Sequence, residues 1–132
     1  VTMPNQPSFS AYTTNSGASF SAGTTIVFNG TQHNTGSHYS TSTGRFTAPV
    51  AGRYMFTYNL QQSGTAAVET QFERNGAKQL DTHVTWISSG GSQHGQNTIV
   101  WNLSANDYVT VKVQSSGVIH GDYTHFAGYL VA

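Results

Sequence analysis

Residues 43–60, TGRFTAPVAGRYMFTYNL, alternate with a period of two. Tyr54, Phe56, Tyr58 and Leu60 fall on one face of an extended segment, and Arg53, Met55, Thr57 and Asn59 on the other. Large aromatics at that period mark a half-buried antiparallel strand. The same alternation predicts strands at 66–73 (Val68, Thr70 and Phe72 inward), 78–87 (Leu80, Thr82, Val84 and Trp86 inward), 97–103 (Ile99, Trp101 and Leu103 inward), 108–114 and 124–132. Shorter extended stretches are predicted at 8–13, 24–29 and 45–48, and the polar run 30–42 reads as turn-rich. No segment sustains a period of 3.6. Many short strands with turn signals between them predict an all-β antiparallel sandwich. Residues 1–7, with two prolines, read as an extended lead-in to a single domain at 8–132.

The turns divide into two kinds. Pro49–Gly52, Arg74–Gly76 and Ser104–Asp107 are tight, and Asn75-Gly76 is a strong hairpin signal. Connections at 61–65, 88–96 and 115–123 are loose. In an up-and-down series the tight turns share one end and the loose loops the other. The loose end is then the candidate functional surface.

Composition narrows the function. Five basic and five acidic residues give a net charge of zero, and only 8% of the chain is charged. Nucleic acid, which needs clustered cations, is not an expected partner. No apolar run approaches a membrane span, so no membrane insertion is expected. The absence of cysteine excludes disulfides and thiolate zinc sites and favours a chain that folds in a reducing cytosol, such as a phage or bacterial protein. Val1 in place of Met marks a processed chain or a fragment, so the lack of a visible leader says little about export.

An ordered series of motifs resembles the globular head of complement C1q and its relatives, which share the tumour necrosis factor fold. The series is FSAY at Phe9–Tyr12, Val27–Asn29 followed by Asn34 and Tyr39, the TGxFTxPxxGxYxFxY core at Thr43–Tyr58, the Asn75-Gly76 turn, Leu103 through Asp107 to Val109, and Phe126, Gly128 and Leu130 at the close. Asn106 stands where that family usually has Gly. The opening MPNQPSFSAY and closing FAGYLVA further resemble heads at phage tail-fibre tips, and invertebrate lectin-like relatives share most of these features. The resemblance implies a ten-stranded jelly-roll sandwich and a homotrimer, placed on a virion surface or outside cells. Met55, Ile87, Tyr108 and Tyr129, opposite the core faces of their strands, are the candidate trimer interface.

No catalytic set is found. Glu69 and Glu73 share a strand face about 13 Å apart, too far for paired carboxylate chemistry. Neither a GxSxG elbow nor an HExxH spacing exists, and no loop carries the Asp cluster of a calcium site. One histidine per subunit near a threefold axis could supply three nitrogen ligands, and His83 is placed for it. No residue is assigned to a metal, and no cofactor is expected. Recognition remains. Gln62, Gln93, His94, His120, Asp122 and Tyr123, with Gln61 and Gln96, fall in the loose connections. Amide and imidazole groups pair with sugar hydroxyls, and an aromatic ring covers an apolar sugar face. The expected partner is a cell-surface glycan or receptor, and the alternative is a structural trimerisation or capsid or fibre decoration domain without receptor binding.

Overall fold

The strand predicted at 53–60 is the spine of one sheet. In the computed structural model, which describes residues 5–14, 17–87 and 90–132 (with the side chains of 120–122 outside that description), this strand is β5, Gly52–Ser63. It lies between β9, Ser92–Leu103, and β11, Gly117–Leu130. Beyond β11 come β1, Ser8–Tyr12, and β3, Gly30–Thr35, giving the order β3-β1-β11-β5-β9. The short β2, Ala18–Phe20, pairs with the start of β11. The facing sheet runs β4-β10-β6, formed by Phe46–Thr47, Tyr108–Val113 and Ala67–Arg74, with β7, Ala77–Lys78, and β8, Val84–Ile87, both on β6. Every pair is antiparallel. This is a jelly-roll sandwich. The described residues form eleven strands against the ten expected, with β4 and β7 only two residues long.

The alternation of β5 sets the core. Tyr54, Phe56, Tyr58 and Leu60 are fully buried. They meet Phe72, Val109, Val111 and Val113 of the facing sheet, and Phe9 and Phe126 of their own. Phe126 is the hub, with ring centroids 4.8 Å from Phe9, 5.5 Å from Phe28 and 6.1 Å from Phe72. Opposite Phe56 in the register stands Gly128. A Cβ there would collide with the Phe56 ring and come within 2.9 Å of the Met55 carbonyl, so the close approach of β11 to β5 requires glycine. Tyr39 is buried with its hydroxyl donating to the Phe28 carbonyl at 3.0 Å and accepting from the Phe28 amide at 3.1 Å. Asn34 brackets the Tyr39 backbone with bonds of 2.8 and 3.1 Å. Those two residues give the Asn and Tyr of the sequence pattern a joint structural role.

Several expectations need correction. The run 30–42 is not wholly turns, since residues 30–35 form β3 at a sheet edge. Residues 78–87 are not one strand. A 3-10 turn, Leu80–Thr82, interrupts them and leaves Leu80 77% exposed. There the Thr82 hydroxyl accepts from the Phe72 amide at 3.0 Å, replacing a ladder bond with a side chain. The loose connections are shorter than read, because β5, β9 and β11 run on through most of them.

The division into two ends holds. At the tight end the Ala48 amide donates to the Asp107 carbonyl and the Asn106 amide to the Ala48 carbonyl, both at 2.8 Å. The Asn75 side chain donates to the Asp107 carboxylate, also at 2.8 Å. The chain's last residues lie at this end, where the Leu130 amide donates to the Pro7 carbonyl at 3.0 Å. Replacing Phe126 with Ala should cost about 3–5 kcal/mol, since the surrounding rings cannot close the gap. Leu80→Ala should cost no more than about 0.5 kcal/mol. Urea unfolding midpoints of the two variants check this contrast.

Candidate functional site

Parity along β5 that buries its even positions turns its odd positions outward. The register carries that outward face across the whole sheet. Thr35, Ser8, Tyr129, Met55 and Val100 form one row through β3, β1, β11, β5 and β9. His33, Ser10, Ala127, Thr57 and Thr98 form the next. Tyr12, His125, Asn59 and Gln96 follow. No carboxylate lies in these rows. Tyr129 and Val100 are 42% and 54% exposed in the single chain, and a groove of about 370 Å³ runs beside Met55, Tyr129 and His33.

Of the four candidate interface residues, Met55 and Tyr129 are thus cross-strand neighbours. Ile87 and Tyr108 are not with them. Ile87 lies in β8 on the facing sheet, and Tyr108 lies in β10 with the Arg45 guanidinium 4.2 Å from its ring centre. An outward residue on one sheet points away from an outward residue on the other, so the four cannot make one patch. Val100, opposite Met55, continues the row instead. The sequence carried its signal, since it alternates with the inward Ile99 and Trp101. His83 is also on the facing-sheet side, bonded to Thr85 at 3.1 Å. Among the described residues no group of three or more His, Cys, Asp or Glu could hold a metal.

At the end remote from the last residues, the ligand candidates come together on strands rather than loops. Gln61 stands opposite His94, Gln62 opposite Gln93, and the His120 backbone opposite Gln61. The Gln61 amide meets His94 Nε2 at 3.4 Å, His94 Nδ1 meets Asn59 Oδ1 at 3.3 Å, and the Asn59 amide donates to the Tyr123 carbonyl at 3.0 Å. Asn59 Oδ1 can only accept and the Gln61 amide nitrogen can only donate. In this arrangement His94 Nδ1 faces an acceptor and Nε2 faces a donor. This chain ties β5, β9 and β11 together. Gln93 and His94 are exposed, as is Tyr123 at 60%. Tyr123 rides on a bulge, since the β11 register jumps between His120 and His125.

Gln62 does not belong to this exposed group. It is 1% exposed, its amide bonded to the Ala66 carbonyl under the β5–β6 connection and its Oε1 without a partner. The side chains of His120 and Asp122 lie outside the described residues. Gly95, next to His94, has no room for a side chain because a Cβ would overlap the Trp86 ring of β8. The sheets therefore close tightly beneath the candidate site.

A family model for the C1q domain matches residues 8–131. The chain belongs to the C1q domain family. Mouse complement C1q tumor necrosis factor-related protein 3 is 28% identical over 109 residues, covering 80% of this chain and 44% of that protein. Mouse complement C1q and tumor necrosis factor-related protein 9 is 33% identical over 112 residues, covering 80% and 33%. The chain thus spans less than half the length of these relatives. Two solved structures show the same fold. The globular domain of zebrafish complement 1qA has a TM-score of 0.75 at 18% identity, with 96% of this chain and 98% of that one covered. Eiger TNF from S. frugiperda has a TM-score of 0.78 at 11%, with 97% and 94% covered. The C1q assignment agrees with the motif series.

His125 gives the C1q-family sheet face a pH signature. His125 is exposed, but the desolvation its neighbours impose lowers its imidazole pKa below the ordinary value. Its register neighbours Tyr12 and Asn59 supply no charge to oppose that. The unfolded chain then binds this proton at a higher pH than the folded chain. Stability rises with pH from the folded pKa up to about 6.5 and is lost on acidification through that window. Compared with His125→Gln, the parent chain should lose stability between pH 7.5 and pH 5 in denaturant titrations. An unchanged difference between the two would refute this.

Proposed function

We propose that this C1q domain is a non-enzymatic recognition head that works as a homotrimer. Three copies associate through the outer face of the β3-β1-β11-β5-β9 sheet and hold the Gln93, His94 and Tyr123 ends together against a cell-surface glycan. The head works outside cells, at the tip of a viral fibre or on a secreted oligomer. The observation that carries the reading is the row of Tyr129, Met55 and Val100, in a stretch of sheet whose neighbouring rows hold no carboxylate. A lone chain would leave this apolar row in water. Family membership supports the trimer, since C1q and tumour necrosis factor domains are typically trimeric and bind receptors. The position of the candidate ligand residues supports the rest. They lie at the end away from the last residues, where three copies repeat each contact and weak single sites gain from avidity.

Sedimentation should give a particle of about three times the 14.2 kDa chain. Met55→Lys, which buries an unpaired charge, should weaken association by about 3–5 kcal/mol per copy and release single chains. With trimers intact, Tyr123→Ala should weaken binding on a glycan array by about tenfold. If alanine at Gln93, His94 and Tyr123 leaves attachment to cells unchanged while trimers persist, the domain acts in trimerisation or decoration alone.

A further inference from the structure

The facing sheet carries a polar groove that the recognition reading does not use. It has a volume of about 230 Å³ and is walled by Thr25, Thr43, Thr110, Arg45, Lys112 and Glu73. In a chain with only ten charged residues, three of them meet here. Glu73 is 2% exposed and is held by Lys112 at 3.3 Å. That pair is neutral, so Arg45 is the uncompensated charge, with no carboxylate partner among the described residues. Its guanidinium carbon lies over the Tyr108 ring, 4.2 Å from the centre. This cation–π contact holds the group by the ring face and uses none of its N–H donors, which suit a bidentate contact. Among the described residues, no protein group engages the hydroxyls of Thr25, Thr43 or Thr110.

We infer that this groove binds a small hydroxyl-bearing monoanion, a sugar acid, with its carboxylate on Arg45 and its hydroxyls on the threonines and the Glu73 carboxylate. The excess of one positive charge selects one negative charge. Glu73 opposes a bare dianion but accepts a hydroxyl proton. The volume lies below the roughly 300 Å³ of sites for drug-sized ligands, which limits the ligand to about one sugar ring. The groove is on the sheet opposite the proposed interface, so it stays open whether or not the chain trimerises, and its test is independent of that reading.

The probe is glucuronate, titrated by calorimetry and by amide chemical shifts, with glucose and inorganic sulfate as comparison arms. Saturable binding is expected with a dissociation constant on the order of 1 mM. Glucose and sulfate should each bind at least about tenfold more weakly. Arg45→Gln should weaken glucuronate about tenfold or more. Thr43→Val, at an exposed position that does not affect the Arg45 stack, should weaken it about threefold, so the inference survives a failure of the arginine variant to fold. Arg53→Gln, on the other sheet, should change nothing. No saturation by about 20 mM glucuronate, sulfate binding as well as glucuronate, or equal binding by the Arg45 and Thr43 variants would overturn the proposal.

Discussion

The pairing of β5 with β9 and β11 is the constraint on which the rest of the molecule depends. β5 is paired along its whole length with β9, from Gly52 opposite Leu103 to Ser63 opposite Ser92. A slip of one residue would turn Tyr54, Phe56, Tyr58 and Leu60 to solvent and bring Met55, Thr57 and Asn59 into the core. The aromatic hub at Phe126 forbids this, because its ring contacts reach both sheets and only Gly128 leaves space for Phe56. The same register that builds the core therefore also builds the outer face. Core packing and the proposed associating surface are two readings of one alternation.

Scarcity of charge makes the two outer faces differ. On the β5 side, the rows between Met55 and Asn59 contain only hydroxyls, amides, histidines and apolar groups. On the facing sheet, Glu73, Lys112 and Arg45 meet in one groove. Removing charged groups from water is costly, so a face with almost none is the one a partner can cover. This difference in charge is what the proposed interface rests on, in a sandwich whose overall net charge is zero.

Much of this was legible in the residues. The core of β5, β6, β9 and β10 followed from alternation, and the tight turns at Pro49–Gly52, Arg74–Gly76 and Ser104–Asp107 do share one end. What was missed has physical causes. Strand β3 has no apolar alternation because it is an edge strand whose pairing comes from β1 backbone rather than from burial. Leu80 looked like a core residue, but Thr82 bonds the backbone of Phe72 and breaks the strand there. Gln62 looked like a loop residue because amides are usually solvated. Its place under the β5–β6 connection depends on how far β5 extends, which only the pairing with Gln93 and Ile119 fixes. Ile87 and Tyr108 were correctly read as outward, but sequence parity does not say on which sheet an outward residue lies.

That the candidate contacts lie on strand ends changes the physics of recognition. A loop must be ordered on binding, at about 0.5–1.5 kcal/mol for each side chain immobilised. Gln93 and His94 are already held by a ladder, and His94 is further fixed between Gln61 and Asn59. Tyr123 is anchored through its carbonyl to Asn59 while its ring remains exposed. In the proposed reading these groups would meet a ligand from backbone that is already ordered, with the His94 ring also held. Selectivity would then rest on spacing between copies rather than on a deep pocket. The sheet face proposed to set that spacing and the strand ends proposed to touch the ligand are continuous elements. Any shift in how β5 pairs would move both together.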